Sequence, residues 1–453
     1  MRWWRRLLPI GFLRLSLIDN YTFFYHLLSA LVGGLFGGLS TVFDTVLKKT
    51  FDGSDWQINW IVTGGALVNL LGVHFARMMH GKDKGPYFLF VAIFGRLVLV
   101  AVAFIVTPGP YLFVLTFVFV VSTILVPAMN SIFESNYSEK ERGRLFGLNA
   151  SLSTFVILVA SYAVGRILDI DQNSYRWLFA LAGVTGALSC YALYKIRIRG
   201  KGRPPEEVND LKRAIGLMIP GIPFTNYIAA FNPGMIGTFV KRSFRATVRP
   251  FADTVRLLRE NPQFREFEVY FFLYGVAFMI VLPVIPIYLV DGLRMNYSQI
   301  TMARGVIAQV CPLLLMPYLG KLLTRYNPIM FCAVTFSVLA FYPVSLMMPS
   351  VLGAYIGFFV FGLGMAGIGV AWSLSPMWFS EGEDSGMFIG VHTTLTGIRA
   401  LVAPLAGLLL MQWTRGYVAP FALSSFFFLL GSILMFWMYF RLKGTGKLEP
   451  EAA

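Results

Sequence analysis

The sequence predicts an all-helical membrane protein, twelve transmembrane helices arranged as two pseudo-symmetric six-helix bundles, and three observations predict it. The first is composition. Of 453 residues, 57% are hydrophobic, 16% aromatic and only 13% charged, and the mean hydropathy of +0.67 lies outside the range of soluble domains. The second is an internal repeat. Gly72-Val-His-Phe-Ala-Arg77 returns as Gly320-Lys-Leu-Leu-Thr-Arg325, an offset of 248, and Leu145-Phe-Gly-Leu-Asn149 returns as Phe388-Ile-Gly-Val-His392, an offset of 243. A repeat of half the chain length carried on hydrophobic helices is how many secondary transporters are built. The third is the placement of positive charge along the chain, which fixes an orientation.

A span needs about 20 apolar residues. Residues 1–24 start with a charged stretch like a signal peptide, but Arg14 interrupts the apolar run and no small-residue cleavage site follows, so the segment is expected to stay as a cytoplasmic or interfacial helix. Residues 25–195 then hold six runs, at 25–47, 57–76, 87–106, 110–133, 146–168 and 176–195. Residues 196–266 form the one long hydrophilic connection. Within it, 214–240 is apolar, yet Pro220, Pro223 and Pro233 would break a helix there, so it is expected to lie at the interface rather than to cross. Residues 267–441 hold six further runs, at 268–290, 299–319, 328–347, 351–376, 386–410 and 417–440, and 442–453 form a tail.

With the amino terminus inside, 29 of the 38 Lys and Arg fall on cytoplasmic segments and 7 on outer ones. That bias puts both termini in the cytoplasm and the protein in the cytoplasmic membrane. The net charge of +15 is therefore a topology signal and an attraction to anionic lipid heads, and no nucleic-acid partner is implied. Cys190, Cys311 and Cys332 lie singly in apolar runs, so neither disulfide nor metal nor any other cofactor is expected.

The Gly72 and Gly320 stretches resemble the loop signature of the major facilitator superfamily: a Gly, an acidic residue and Arg four and five places on, then basic residues. The resemblance extends over all twelve spans and implies a monomeric transporter working by alternating access. Arg77 and Arg325 stand where the family places its Arg. Ala76 and Thr324 occupy the acidic position, so a cytoplasmic latch would need other carboxylates. Glu134, Glu381, Glu383 and Asp384 are on the same face and are the candidates, against the alternative that they are simply solvated.

His392, Thr396 and Arg399 share one helical face of the eleventh span, with Asn149, Ser153 and Val156 as their repeat counterparts in the fifth. An intramembrane Arg is costly and faces a cavity or a partner, so Arg399 is the candidate substrate contact, the alternative being bonds to carbonyls freed by Pro404. Trp372 and Ser375, one turn apart in the tenth span, could stack on and bond a solute, or only pack. Arg96, in a span the resemblance makes peripheral, reads as a structural pair or a lipid-head contact, the alternative being substrate binding. Asp44 or His392 could carry a coupling proton, although Lys48 four residues on offers Asp44 an ordinary helical ion pair. Gly33, Gly34, Gly37, Gly38, and Gly362 to Gly369, permit close helix approach, and Pro283, Pro286, Pro312 and Pro317 supply kinks.

These features imply a transporter of a small organic solute, with a carboxylate or phosphate suited to Arg399. An amphipathic drug or lipid suits the aromatic content equally. A membrane enzyme or a sensor of a lipid-like ligand is the rival class. No acidic pair, metal cluster or nucleophile with a base is legible to support catalysis.

Overall fold

The computed structural model describes residues 15–67, 79, 83–197, 254–325, 327–379 and 385–445. Eleven helices there are long and apolar enough to cross a membrane: Leu17–Lys49, Gly85–Phe104, Pro108–Asn130, Glu141–Ile170, Gln172–Tyr194, Pro262–Gly292, Tyr297–Leu315, Pro328–Leu346, Val351–Gly369, Phe388–Thr414 and Val418–Gly444. The helix Asp55–Leu67 stands at the second position, which completes twelve. The expected interfacial segments at the amino terminus and at 214–240 lie outside the described residues.

Alternation of the spans puts the first residue of the first helix and the last of the twelfth at one end of the molecule, here the terminal end. The connection 50–54 lies at the opposite, far end. An apolar cluster at the far end runs through both halves, joining Val46, Leu47 and Ile58 to Ile285, Leu289 and Ile300. Toward the terminal end the described residues of the halves form separate cores, one around Phe88, Ile132 and Leu145, the other around Phe267, Phe336 and Phe388. The molecule is thus sealed at one end.

Close packing inside each half uses the small residues that the sequence supplies. A Cβ added at Gly38 would lie 2.4 Å from the Ala160 Cβ, so the first and fifth spans touch nearly backbone to backbone. In the second half the same role falls to Gly362, where an added Cβ would meet the Ala308 carbonyl oxygen at 2.4 Å.

Several spans are not uniform α-helices. The first breaks after Ser40 and resumes at Phe43. The seventh ends its regular turn at Val281, just before Pro283, and finishes in a wide π-helical turn over Tyr288–Gly292. In the eighth, the irregular turn is Met302–Ile307, ahead of Pro312, and the helix Ala308–Arg325 runs on through both prolines, so the expected kinks there move one to two turns earlier. The third changes from a π turn at Val91–Arg96 to a 3-10 helix at Leu97–Phe104. Such turns cost regular hydrogen bonding and recur at functional positions. Each π turn here carries a charge: Arg96, Asp291 and Arg304.

Candidate functional site

In the first half the polar centre is His26. Its Nδ1 lies 3.0 Å from the Tyr137 hydroxyl and 2.9 Å from the Asn149 side-chain nitrogen, and its ring stacks on Phe133 at 4.0 Å. Burial, helped by the Asp19 carboxylate, pushes the Tyr137 phenol well up from its ordinary value, so this hydroxyl stays protonated beside the ring. Asn149 is fully enclosed, and its Oδ1 has no partner.

The second half repeats the arrangement with charged groups. Glu268, 2% exposed, sits on the seventh span, and both its carboxylate oxygens lie 3.0 Å from Nδ1 of His392, which is 1% exposed on the eleventh. Glu268 follows His26 by 242 residues, and His392 follows Asn149 by 243. The duplicated chain therefore places one polar pair between the first and fifth spans and an equivalent pair between the seventh and eleventh, neutral in the first copy and ionisable in the second. The expected stripe is gathered here. Trp372 meets the His392 ring edge-on at 4.3 Å, Thr396 donates to the His392 carbonyl, and Ser375 lies 3.8 Å from the Cys332 sulfur.

Arg399 is buried inside this bundle at 4% exposure. Its Nη1 donates to the Phe271 carbonyl at 3.2 Å, and the guanidinium lies 5.6 Å from the Trp372 ring and 5.9 Å from that of Tyr274. A Cβ at Gly275 would lie 1.9 Å from its Cζ, so only glycine leaves room for the group. His392 shares Phe271 and Trp372 with Arg399, and Glu268 acts electrostatically on the guanidinium. Carbonyl bonding comes from Phe271 on the seventh span and not from the turn before Pro404. In this conformation Arg399 is a neighbour of the Glu268–His392 pair, and its Nε has no partner.

At the far end the halves are tied by charge. Arg304 grips Asp44 with two bonds of 2.8 Å, one to each carboxylate oxygen. The expected Asp44–Lys48 pair does not form: both carboxylate oxygens of Asp44 are taken by Arg304, and the Lys48 ammonium joins Asp55 at 3.2 Å and Asp291 at 2.8 Å. Asp169, at the end of the fifth span, accepts from the backbone N–H groups of Tyr297 and Ser298 at 2.7 and 2.9 Å, capping the eighth span across the divide. Lys49 donates to the Met295 carbonyl at 2.7 Å. Asp44 and Arg304 also line a cavity of about 220 Å³ between the halves, with Thr41, Tyr342 and Phe361.

At the terminal end, a Cβ at Gly147 or at its repeat counterpart Gly390 would meet nothing within 4 Å. Among the proposed latch residues, Arg77, Glu381, Glu383 and Asp384 lie outside the described residues. Glu134 and Arg325 lie on the helices Leu125–Asn136 and Ala308–Arg325, and their side chains lie outside the described ones. No group of His, Cys, Asp and Glu able to hold a metal occurs among the described residues, and the three cysteines are buried and free.

Sequence reasoning missed His26 and Glu268. Both stand within two residues of the start of an apolar run and read as boundary residues, although the repeat offset pairs them as it pairs Asn149 with His392.

Twelve helices in two repeated bundles, sealed at one end around a polar interior, define a membrane transporter fold. The Major Facilitator Superfamily profile matches residues 25–380, and the chain belongs to that family. It is similar to the nucleoside transporter NupG, with a TM-score of 0.57 at 12% identity over 96% of this chain and 100% of that one. A bacterial homolog of the human lysosomal transporter Spinster, inward-facing and unoccupied, aligns with a TM-score of 0.63 at 12% identity over 94% and 97%. A POT family transporter in complex with a thioalcohol-conjugated peptide aligns at 0.64 and 13% over 93% and 96%. Comparison with characterised proteins by sequence alone returns no significant match.

Proposed function

We propose that this protein moves a small organic solute across the membrane by alternating access, with the terminal end on the cytoplasmic side and with a proton taken up at the Glu268–His392 pair in each cycle. The observation that carries the reading is the one-ended closure. The halves share a core and a set of ion pairs at the far end and keep separate cores toward the terminal end. A rigid pair of bundles joined at one end is one of the two states that a rocking mechanism needs. The excess of Lys and Arg on the terminal-end segments supports the cytoplasmic assignment of that end.

Coupling is read from the asymmetry of the repeat. A buried carboxylate against imidazole and guanidinium exchanges a proton whenever a rocking motion changes their separation, because an unpaired buried charge is costly. The neutral His26–Asn149 copy has no carboxylate to do so. In this reading Arg399 is the buried cation that interacts with the Glu268 carboxylate. The solute classes moved by NupG and the POT relative support a polar organic solute.

Uptake and counterflow in proteoliposomes test both parts. Glu268→Gln is expected to keep counterflow of a labelled solute while losing acceleration by an inward proton gradient. Uptake by the Glu268→Gln protein that still follows the gradient removes the coupling assignment, and absence of counterflow for a broad panel of polar solutes removes the transport reading.

A further inference from the structure

The first half contains a cavity of about 310 Å³, enclosed by the first, third, fourth, fifth and sixth spans, at the small end of the range for ligand pockets. Its polar lining is His26, Ser29, Arg96, Asn149, Ser153 and Ser189. We propose that this cavity binds a small anion, a carboxylate or phosphate group, with Arg96 as its charge partner. The proposal rests on the transport reading and deepens it by naming the class of solute.

Four observations carry it. Arg96 is the cation of the set, and among the described residues no carboxylate lies against it. Its guanidinium donates to the Ser122 hydroxyl at 2.9 Å, stands over the Phe36 ring at 4.0 Å and touches the Cys190 thiol. A guanidinium has five donors in a fixed fork, and these neighbours occupy few of them, which leaves the fork free for a bidentate acceptor. Second, the third span is irregular at this residue: the π turn ends on Arg96, whose own backbone stands at φ −129° and ψ −58°, outside the helical region. The chain gives up regular bonding in mid-span to set this side chain. Third, the donors around the cavity suit an acceptor-rich ligand. The His26 ring, engaged at Nδ1 by Tyr137 and Asn149, has Nε2 left for a ligand, and Ser153 adds a hydroxyl. Fourth, the other intramembrane guanidinium groups are engaged, Arg304 by Asp44 and Arg399 in a bundle where Glu268 supplies negative charge. A charge with no protein counter-ion in an apolar medium is retained at a cost that a bound anion would offset.

The test uses the full chain in detergent, with succinate and inorganic phosphate as probes and glucose and tetramethylammonium as controls, read by thermal shift and by equilibrium binding. Either anion is expected to stabilise the protein saturably, and the controls are not. Arg96→Gln should weaken anion affinity about 10- to 100-fold and Arg96→Lys less, since a lysine keeps the charge without the fork. Ser153→Trp, which leaves Arg96 in place and fills the cavity, should lose binding as well, and serves if Arg96→Gln does not fold. Unchanged affinity in either variant, or no response of the unmodified protein to either anion, overturns the proposal.

Nanodiscs separate the two sources of such an anion. Competition by phosphatidylglycerol, absent with phosphatidylcholine, assigns the site to a headgroup phosphate, and absence of competition assigns it to a free solute. Counterflow separates this site from the transport reading: Arg96-dependent binding with no counterflow of succinate or of any solute in the polar panel sinks transport and keeps the site, whereas counterflow of succinate indifferent to Arg96 keeps transport and sinks the site.

Discussion

The Asp44–Arg304 pair is expected to set the balance between the two conformations, and neutralising it tests the point. Asp44→Asn with Arg304→Gln removes both charges together, so no unpaired ion is left behind. The pair is bidentate with both bonds at 2.8 Å, and its side chains are 11% and 26% exposed, so it is neither dry nor freely solvated. A charge-assisted bond contributes about 1.5–3 kcal/mol net, and partial exposure argues for the lower part of that range. About 2 kcal/mol lost from the far-end-closed state changes its odds roughly 30-fold. Thiol labelling at Gly147→Cys reads the outcome, since Gly147 is exposed at the terminal end in this state and should close when the halves rock. The labelling rate is expected to fall in the double variant and to recover in the charge swap Asp44→Arg with Arg304→Asp. An unchanged rate in the double variant means that the pair does not bias the equilibrium.

Other outcomes follow from the packing. Gly275→Ala forces the Arg399 guanidinium from its place, and overpacking of this kind costs about 1–3 kcal/mol, so the melting temperature should drop while Gly390→Ala leaves it unchanged. Gly38→Leu has no room against Ala160 and should prevent folding, visible as loss of monodisperse protein. Asp169→Asn keeps the size of the side chain but loses its charge and one of the two acceptors for Tyr297 and Ser298, which should weaken far-end closure by about 1 kcal/mol or more and raise accessibility of a cysteine at Ser298.

The twelve spans, the two-bundle fold and the family were legible because bilayer thickness sets helix length and the repeat is written in the chain. The stripe on the eleventh span was legible for the same reason, since helical spacing alone puts His392, Thr396 and Arg399 together. What the residues face was not. Lys48 is one turn from Asp44, yet stronger partners from other helices, Arg304 for Asp44 and Asp291 for Lys48, take the two side chains, and no local spacing signals a partner 260 residues away. Spacing along the chain did not signal what Arg96 faces: its side chain reaches the Ser122 hydroxyl and the lining of the first-half cavity. Glu268 was hidden by position, since a carboxylate near the start of an apolar run reads as the end of the membrane until His392 is seen against it.

The wide turn at Met302–Ile307 has a consequence for how the eighth span tolerates change in length. A π turn holds one residue more than the α-helical turn it replaces, so removing one residue there could let the turn tighten while the helices before and after keep their faces. Removal elsewhere in the span would swing everything downstream by about 100° around the axis, carrying apolar residues off the core. Arg304, which reaches across the divide to Asp44, stands within that turn. A shortened protein could therefore assemble both bundles and still lack the clasp between them.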